Sequence, residues 1–138
     1  MRSPQEILQE TKTIALVGAS PNPDRPSHGV MRYLLARGYR VIPVRPDGAE
    51  VLGLPSVSSI AEIEEPIDLV DVFRREEAAP DHAREAVEAR AKAFWLQLDL
   101  HSPEAQRIAT DGGLDYVEDL CTAVVHRSME RANRGAQI

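Results

Sequence analysis

Short apolar runs alternate with amphipathic segments along the chain, and this alternation predicts strands separated by helices. Residues 13–17 form a mainly apolar, β-branched run, which is typical of a parallel strand covered on both faces. After it, apolar residues recur at helical spacing from Val30 to Leu35, and Gly38 predicts the end of that helix. Four more strands are predicted at residues 39–44, 68–73, 93–98 and 115–118.

Helix signals precede, separate and follow these strands. Ser3, Pro4 and Glu6 form a capping-box pattern and predict a first helix that ends before Thr13. A short helix is predicted from Ser59 to just before Pro66. Longer helices are predicted at about residues 80–91, 102–112 and 122–133.

Together these elements predict the fold class α/β, as a single Rossmann-like doubly wound parallel five-stranded sheet with helices on both faces. We expect one domain over residues 1–138 and a strand order of 3-2-1-4-5. Pro43 lies within the predicted second strand but has no N–H to donate to the sheet, so we expect it near that strand's end.

Composition limits the class of protein. A chain of 138 residues with 43% hydrophobic content can bury a core without disulfides or metals. Cys121 is the single cysteine and the four histidines lack metal-ligand spacing, so we predict no disulfide and no metal site. The sequence has neither a signal-peptide pattern nor the roughly 20 consecutive apolar residues that cross a bilayer. We therefore expect a cytoplasmic protein without a membrane partner.

The charge balance argues against nucleic acid as a partner. A formal net charge of −6 repels phosphate backbones at long range, and an aromatic content of 4% leaves few platforms for stacking bases. An anionic ligand would therefore need a local positive patch on this acidic chain.

The loop after the first strand has the composition of an anion-binding loop. Small side chains allow a phosphate to approach backbone N–H groups at the start of the next helix. Ser20 stands where a dinucleotide-binding G-x-G-x-x-G motif has its second glycine, and the loop contains no G-K-[ST] Walker sequence. The alternative is that Gly18 only forms a tight turn in a surface loop. The candidate binding residues of this loop are Gly18, Ala19, Ser20, Pro21, Arg25, Ser27 and His28.

The residue after the second strand discriminates between cofactors. An NAD-binding domain is expected to place an acidic residue there for the ribose hydroxyls, whereas this chain has Arg45. An arginine suits a phosphorylated ribose, which leaves NADP and coenzyme A as candidates. Asp47 lies nearby, but its Pro-Asp-Gly context favours a role in the turn. A solvated loop arginine is the alternative for Arg45.

Cations also follow the third strand, as Arg74 and Arg75 come directly after Phe73. In the predicted order the loops after the first three strands are neighbours, so their arginines would converge on one positive crevice, with Phe73 beside an adenine ring. Gln97, near the end of the fourth strand, would either face this crevice or satisfy backbone groups.

No set of residues has the pattern of a catalytic site. Cys121 lies near the start of the last predicted helix, which contains His126, but a spacing of five does not place the two on one face, and a buried structural thiol is expected. Asp68 and Asp71 lie at odd spacing in a strand, so they point to opposite faces and do not form an acid/base pair.

These segments resemble a known family, the small stand-alone CoA-binding proteins, which are similar to the nucleotide-binding domain of the succinyl-CoA synthetase α subunit and of NDP-forming acyl-CoA synthetases. The resemblance covers about residues 7–126. It is carried by Ile14–Ser20 (IALVGAS), Tyr39–Val44 (YRVIPV), Val70–Arg75 (VDVFRR) and Trp95–Leu98 (WLQL).

The resemblance implies a coenzyme A site made of the same loops. Gly18, Ala19, Ser20 and Pro21 would line the phosphate loop, with Arg25 and Ser27 nearby. Val44, Arg45 and Pro46 would surround the 3′-phospho-ADP, and Phe73 with Arg74 would lie close to the adenine and ribose.

Two residues depart from the family pattern. The family often has Asn at the position of Arg45, so a phosphate contact by Arg45 is our own inference. It also usually reads Cys-x-x-x-Glu-His where this chain has Val125 between Val124 and His126.

We therefore predict a module that binds coenzyme A or an acyl-CoA as a carrier, sensor or regulatory protein and is not an enzyme. The resembled synthetases transfer acyl groups with a phosphorylated histidine and further domains, for which 138 residues leave no room. One alternative is a small NADP-binding oxidoreductase-like domain. Another is an interaction subunit without a ligand, and a homodimer or a partner protein would be compatible with any of these.

Overall fold

Five parallel strands form one sheet in the order β2-β1-β3-β4-β5 in the computed structural model, which describes residues 1–136. The strands are β1 (Thr13–Val17), β2 (Arg40–Val44), β3 (Leu69–Val72), β4 (Ala93–Leu96) and β5 (Asp115–Val117). The helices are α1 (Pro4–Glu10), α2 (Pro26–Ala36), α3 (Ala79–Glu88), α4 (Pro103–Asp111) and α5 (Thr122–Ala136), and single 3-10 turns lie at Ile60–Glu62 and Glu76–Ala78. The predicted fold class is confirmed.

The predicted strand order 3-2-1-4-5 is wrong, because β3 lies on the other side of β1 and β2 forms an edge of the sheet. Pro43 explains why β2 suits the edge. Arg40 donates its backbone N–H to Lys12 O at 2.9 Å on the β1 side, whereas Arg45 donates to Val57 O at 2.9 Å on the outer side. Backbone nitrogens alternate along a strand, so the nitrogen of Pro43 faces outward, where no partner strand requires an N–H.

Helices cover both faces of the sheet, as predicted. Along β1, Ile14 and Leu16 pack into one hydrophobic cluster with the residues of α1, α2 and α5, while Ala15 and Val17 pack into a second cluster with α3 and α4. β4 shows the same alternation, with Trp95 in the first cluster. Both clusters contain fully buried side chains. The strands therefore have a hydrophobic layer on each face, which accounts for their nearly continuous apolar sequences.

Several elements are shorter than their patterns predict. The segment from Ser59 to Pro66 forms only a 3-10 turn rather than a helix, and no side chain caps it. β3 and β4 end at Val72 and Leu96, so Phe73 and Gln97 lie in the loops that follow. Both residues are therefore at the carboxyl edge of the sheet, where open α/β sheets bind ligands.

The order of the strands determines which loops meet at this edge. The loops after β2, β1 and β3 are consecutive, and the connections diverge on either side of the β1/β3 boundary. Such a boundary opens a crevice at the carboxyl ends of the strands. Among residues 1–136, no helix has the length and apolar character needed to span a bilayer.

Candidate ligand site

A cavity of about 550 Å³ opens where the loops after β1, β2 and β3 meet. Its walls include nine of the candidate binding residues from the sequence analysis, and also Pro26 and Asp47. The nine are Gly18, Ala19, Ser20, Arg25, Ser27, Arg45, Pro46, Phe73 and Arg74. We call this space the first cavity.

Gly18 joins the three loops at the base of the first cavity. Its N–H donates to Val44 O at 3.1 Å, which ties the start of the loop to β2. Its φ is +88°, and a Cβ at this position would lie 2.8 Å from the carbonyl oxygen of Phe73. Glycine is therefore required here for two reasons, a left-handed backbone and a close approach to the chain leaving β3.

Internal hydrogen bonds shape the loop after β1. Asn22 donates its N–H to the Ser20 hydroxyl at 3.1 Å and accepts one from Asp24 N at 2.9 Å through its side chain. The buried His28 ring has Nδ1 3.0 Å from Ser20 O, and since a carbonyl only accepts, Nδ1 carries the proton. His28 therefore supports the loop from beneath. Pro21 is exposed and does not line the first cavity.

Backbone donors remain available in the loop after β1 and at the start of α2. Within residues 1–136, the N–H groups of Ala19, Ser20 and Ser27 make no hydrogen bond to the protein. Ser27 is in the first turn of α2, and the side chain of the N-cap residue Arg25 caps no amide. Free amides and the positive end of the helix dipole favour an anion at this point.

Arg45 lies across the first cavity and is held by two neighbours. Its Nη1 donates to Ala19 O at 2.6 Å, and its Nε and Nη2 donate to the two carboxylate oxygens of Asp47 at 2.7 and 2.9 Å. The Arg45 guanidinium, together with the Ala49 amide, holds the pKa of Asp47 well below its usual range. Two of the five guanidinium N–H donors have no partner in the described part of the chain.

The predicted role of Asp47 in the turn is confirmed, since its carboxylate accepts a hydrogen bond from Ala49 N at 3.0 Å, and the same carboxylate also neutralises Arg45.

Arg25 and Arg74 differ from Arg45, as neither forms an ion pair with any residue in the range 1–136. Val44 does not line the first cavity with its side chain, which is buried in the core.

A second cavity, of about 450 Å³, adjoins the first and shares Pro26, Phe73 and Arg74 with it. Its remaining walls come from α2 and from the loops after β3, β4 and β5. These residues are Val30, Arg75, Gln97, Leu98, Asp99, Leu100 and Cys121. The structure therefore places Gln97 in this second cavity and not in the first.

A buried polar triad lies behind the wall of the second cavity. Gln97 Nε2 donates to Asp71 Oδ1 at 2.5 Å and to Thr122 Oγ1 at 3.0 Å, and Thr122 Oγ1 donates to Asp71 Oδ2 at 3.0 Å. Complete burial raises the pKa of Asp71 to about 7, although both hydrogen bonds act in the opposite direction. Both amide donors of Gln97 are thus used internally, and its Oε1 makes no hydrogen bond within the described residues.

The remaining candidates have separate structural roles. Asp68, outside β3, accepts the backbone N–H groups of Lys12 and Thr13 at 3.0 Å, and so forms no pair with Asp71. His126 Nδ1 is 2.9 Å from the Tyr33 hydroxyl, in the contact between α2 and α5. Cys121 was expected to be buried, but its side chain is half-buried and lines the second cavity, because it precedes α5 at the carboxyl edge of the sheet.

Sequence reasoning missed the second cavity and the ion partner of Arg45. Leu98, Asp99 and Cys121 follow β4 and β5, and the rule that ligands bind beyond the carboxyl ends of parallel strands applied to them as well. Val125, which departs from the family pattern, is buried in the hydrophobic cluster beneath α5 and does not line either cavity.

Comparisons with known proteins agree with this geometry. A family model described as a CoA binding domain matches residues 12–127, a range that contains the walls of both cavities. The uncharacterized protein YneT of Bacillus subtilis is 46% identical over 122 residues, which cover 88% of this chain and 90% of that protein. A hypothetical protein from Pyrococcus horikoshii OT3 superimposes with a TM-score of 0.88 at 38% identity, over 91% of this chain and 88% of that one.

The fold also recurs in a much larger protein. The apo structure of the dinucleotide forming acetyl-coenzyme A synthetase 1 of Ca. Korarchaeum cryptofilum matches with a TM-score of 0.71 at 22% identity, over 80% of this chain and 26% of that one. At this identity the likeness shows the fold alone.

We expect Gly18→Ala to reduce the free energy of unfolding by about 2–4 kcal/mol, because it adds a contact with the Phe73 carbonyl to the strain of a left-handed alanine. Gly38→Ala is the matched control, since its φ is +91° but its Cβ would meet no atom within 4 Å. The control should lose only about 1 kcal/mol in urea titrations. Equal losses would show that the close approach at Gly18 contributes nothing.

We expect Asp71→Asn to gain stability relative to the wild type as the pH rises towards 7. The pKa of Asp71 is higher in the folded chain than in the unfolded chain, so folding takes up a proton between about pH 4 and pH 7 and the wild-type free energy of unfolding falls as pH rises through this window. The advantage of the variant, measured by urea unfolding at each pH, should grow across the window to at most about 4 kcal/mol. A pH-independent difference would contradict the raised pKa.

Proposed function

This chain belongs to the family of CoA binding domains, as its sequence resemblance implied, and we propose that it binds coenzyme A or an acyl-CoA without catalysing a reaction. The observation that carries this proposal is the convergence of three loops on the first cavity. Cations and unpaired backbone donors meet there on a chain whose formal net charge is −6. An anionic ligand is therefore attracted to this cavity and repelled from much of the remaining surface.

The chemistry of each wall suggests how the nucleotide lies. The free amides of Ala19, Ser20 and Ser27 suit the pyrophosphate, because backbone donors in a glycine-containing loop and at a helix N-terminus bind phosphate without a bulky side chain. Phe73 offers an apolar surface for the adenine ring. Arg45 retains two donors for the 3′-phosphate, and Arg74 adds a second cation without an ion partner in the described chain.

The second cavity suits the pantetheine arm. It joins the first cavity at Phe73 and Arg74, and its walls are mainly apolar, as expected for a site that holds a flexible chain with few polar groups. A ligand with a nucleotide in the first cavity and an arm in the second would thus use both spaces at once. Neither NAD nor NADP has a flexible arm of this kind.

The absence of catalysis is also our proposal, and the positions of two of the four histidines support it. His28 is buried under the loop with Nδ1 bound to Ser20 O, and His126 packs against Tyr33 on α2, so neither lines a cavity. Asp71 is completely buried and is hydrogen-bonded to Gln97, which lines the second cavity.

Calorimetric titration with coenzyme A, dephospho-CoA, NADP and NAD tests the ligand. We expect coenzyme A to bind tightest, and removal of its 3′-phosphate to cost roughly 1.5–3 kcal/mol through the loss of a charge-assisted hydrogen bond. A preference for NADP would overturn the choice of cofactor.

The ion pair between Arg45 and Asp47 predicts a second effect. Asp47→Asn removes the charge that competes with the 3′-phosphate, so the ratio of affinities for coenzyme A and dephospho-CoA should rise about two- to fivefold, in line with a partly exposed ion pair. Arg45→Gln should bring the same ratio close to one. If both variants keep the wild-type ratio in calorimetry, Arg45 does not contact the 3′-phosphate.

A further inference from the structure

We propose that the ligand of this protein is a thioester of coenzyme A with an apolar acyl group, rather than free coenzyme A, and that the acyl group covers an exposed patch at the mouth of the second cavity. The patch consists of Leu98, Leu120 and Val124. This inference rests on the proposed function, because it requires the nucleotide to occupy the first cavity.

The exposure of these three side chains is the starting observation. Four large apolar side chains are exposed among the described residues, and apart from Met1 they are Leu98, Leu120 and Val124, with 61%, 39% and 54% of their surface open to solvent. Exposed large apolar groups that cluster at one place mark an interaction site, whereas scattered ones need no explanation.

Adjacent elements bring the patch together. Leu98 and Leu120 follow the neighbouring strands β4 and β5, and their loops are joined by the hydrogen bond from Asp99 N to Asp119 Oδ1 at 2.7 Å. Leu120 is anchored through its carbonyl oxygen, which accepts from Trp95 Nε1 at 2.8 Å. Cys121, which lines the second cavity, directly precedes α5, and Val124 follows it by three residues in the first turn of that helix, so we infer that Val124 lies beside the mouth of the cavity.

The patch continues a path that begins at the first cavity. Leu98 and Cys121 line the second cavity, which shares Phe73 and Arg74 with the first. A pantetheine arm that passes Phe73 and Arg74 into the second cavity would reach the patch with its sulfur end. The arm itself carries two amides and would gain little from three aliphatic side chains, whereas an acyl group attached to its sulfur would remove them from water.

Gln97 determines which polar group of the arm can bind along this path. Its Nε2 hydrogens are taken by Asp71 and Thr122, so the side chain offers its Oε1, a hydrogen-bond acceptor, to the second cavity. Pantetheine amide N–H groups are matching donors. Gln97 thus serves as a positioning residue for the arm, and the selection of the acyl group falls to the apolar patch beyond it.

The test is calorimetry of the full chain with adenosine 3′,5′-bisphosphate, coenzyme A, acetyl-CoA, butyryl-CoA, hexanoyl-CoA and octanoyl-CoA. Coenzyme A should bind more tightly than the bisphosphate, and the affinity of the thioesters should rise about two- to fourfold with each added methylene, as burial of a methylene predicts.

Leu120→Gln with Val124→Thr tests the patch, because both changes keep side-chain size and add polarity, and neither residue lines the first or the second cavity. This double variant should bind coenzyme A within about twofold of wild type while its dependence on acyl length disappears. Arg131→Gln, a change of an exposed side chain on the same helix, is the control and should keep the wild-type dependence. Thermal unfolding without ligand checks that each variant folds.

The outcomes separate this inference from the proposed function. If none of the nucleotides binds, the proposed function itself fails. Equal affinity for coenzyme A and all thioesters would overturn the inference and leave the proposed function intact. If the double variant leaves the acyl dependence unchanged but converts a dimer to a monomer in sedimentation, the patch is a contact between copies of the chain and the inference is overturned.

Discussion

The close approach of two backbones at Gly18 is the constraint on which the rest of the site depends. The chain leaving β1 passes so near the chain leaving β3 that a single added carbon would meet the Phe73 carbonyl oxygen at 2.8 Å. The same residue donates its N–H to Val44 at the end of β2. One glycine thus allows the chains at the ends of three paired strands to pass close together, and the first cavity is the space above that point.

Electrostatics then decides what this space attracts. The body of the protein is acidic, and the first cavity gathers arginines from three separate loops. Asp47 neutralises one of these charges, because it holds Arg45 in a fixed position with two hydrogen bonds. Arg25 and Arg74 have no ion partner within the described chain. An arginine held in this way loses less side-chain entropy when a phosphate arrives, although the phosphate must compete with the carboxylate.

The sequence predicts the strands, both helical layers and most of the first cavity, because apolar runs and turn residues report local structure directly. It does not predict the strand order, since pairing depends on which surfaces fit, and only Pro43 carried a local signal that β2 lies at an edge. The wrong order had a consequence for the site. It separates β3 from β4, and therefore hides both the contact of Asp71 with Gln97 and the second cavity, which depend on those strands being neighbours. The pairing of Arg45 with Asp47 was hidden for a different reason. The side chain of Asp47 can turn back towards Arg45 or extend into solvent, and the sequence pattern is the same in both cases.

Pro43 has one more consequence, for how two molecules of this protein could associate. The outer side of β2 lacks an N–H at Pro43 and is already bridged at Val57, while the opposite edge strand, β5, has only three residues. Neither margin presents the uninterrupted row of donors and acceptors that lets sheets of separate molecules merge into one. Assembly by strand addition is therefore disfavoured at both ends, and any dimer would have to form through helices or loops.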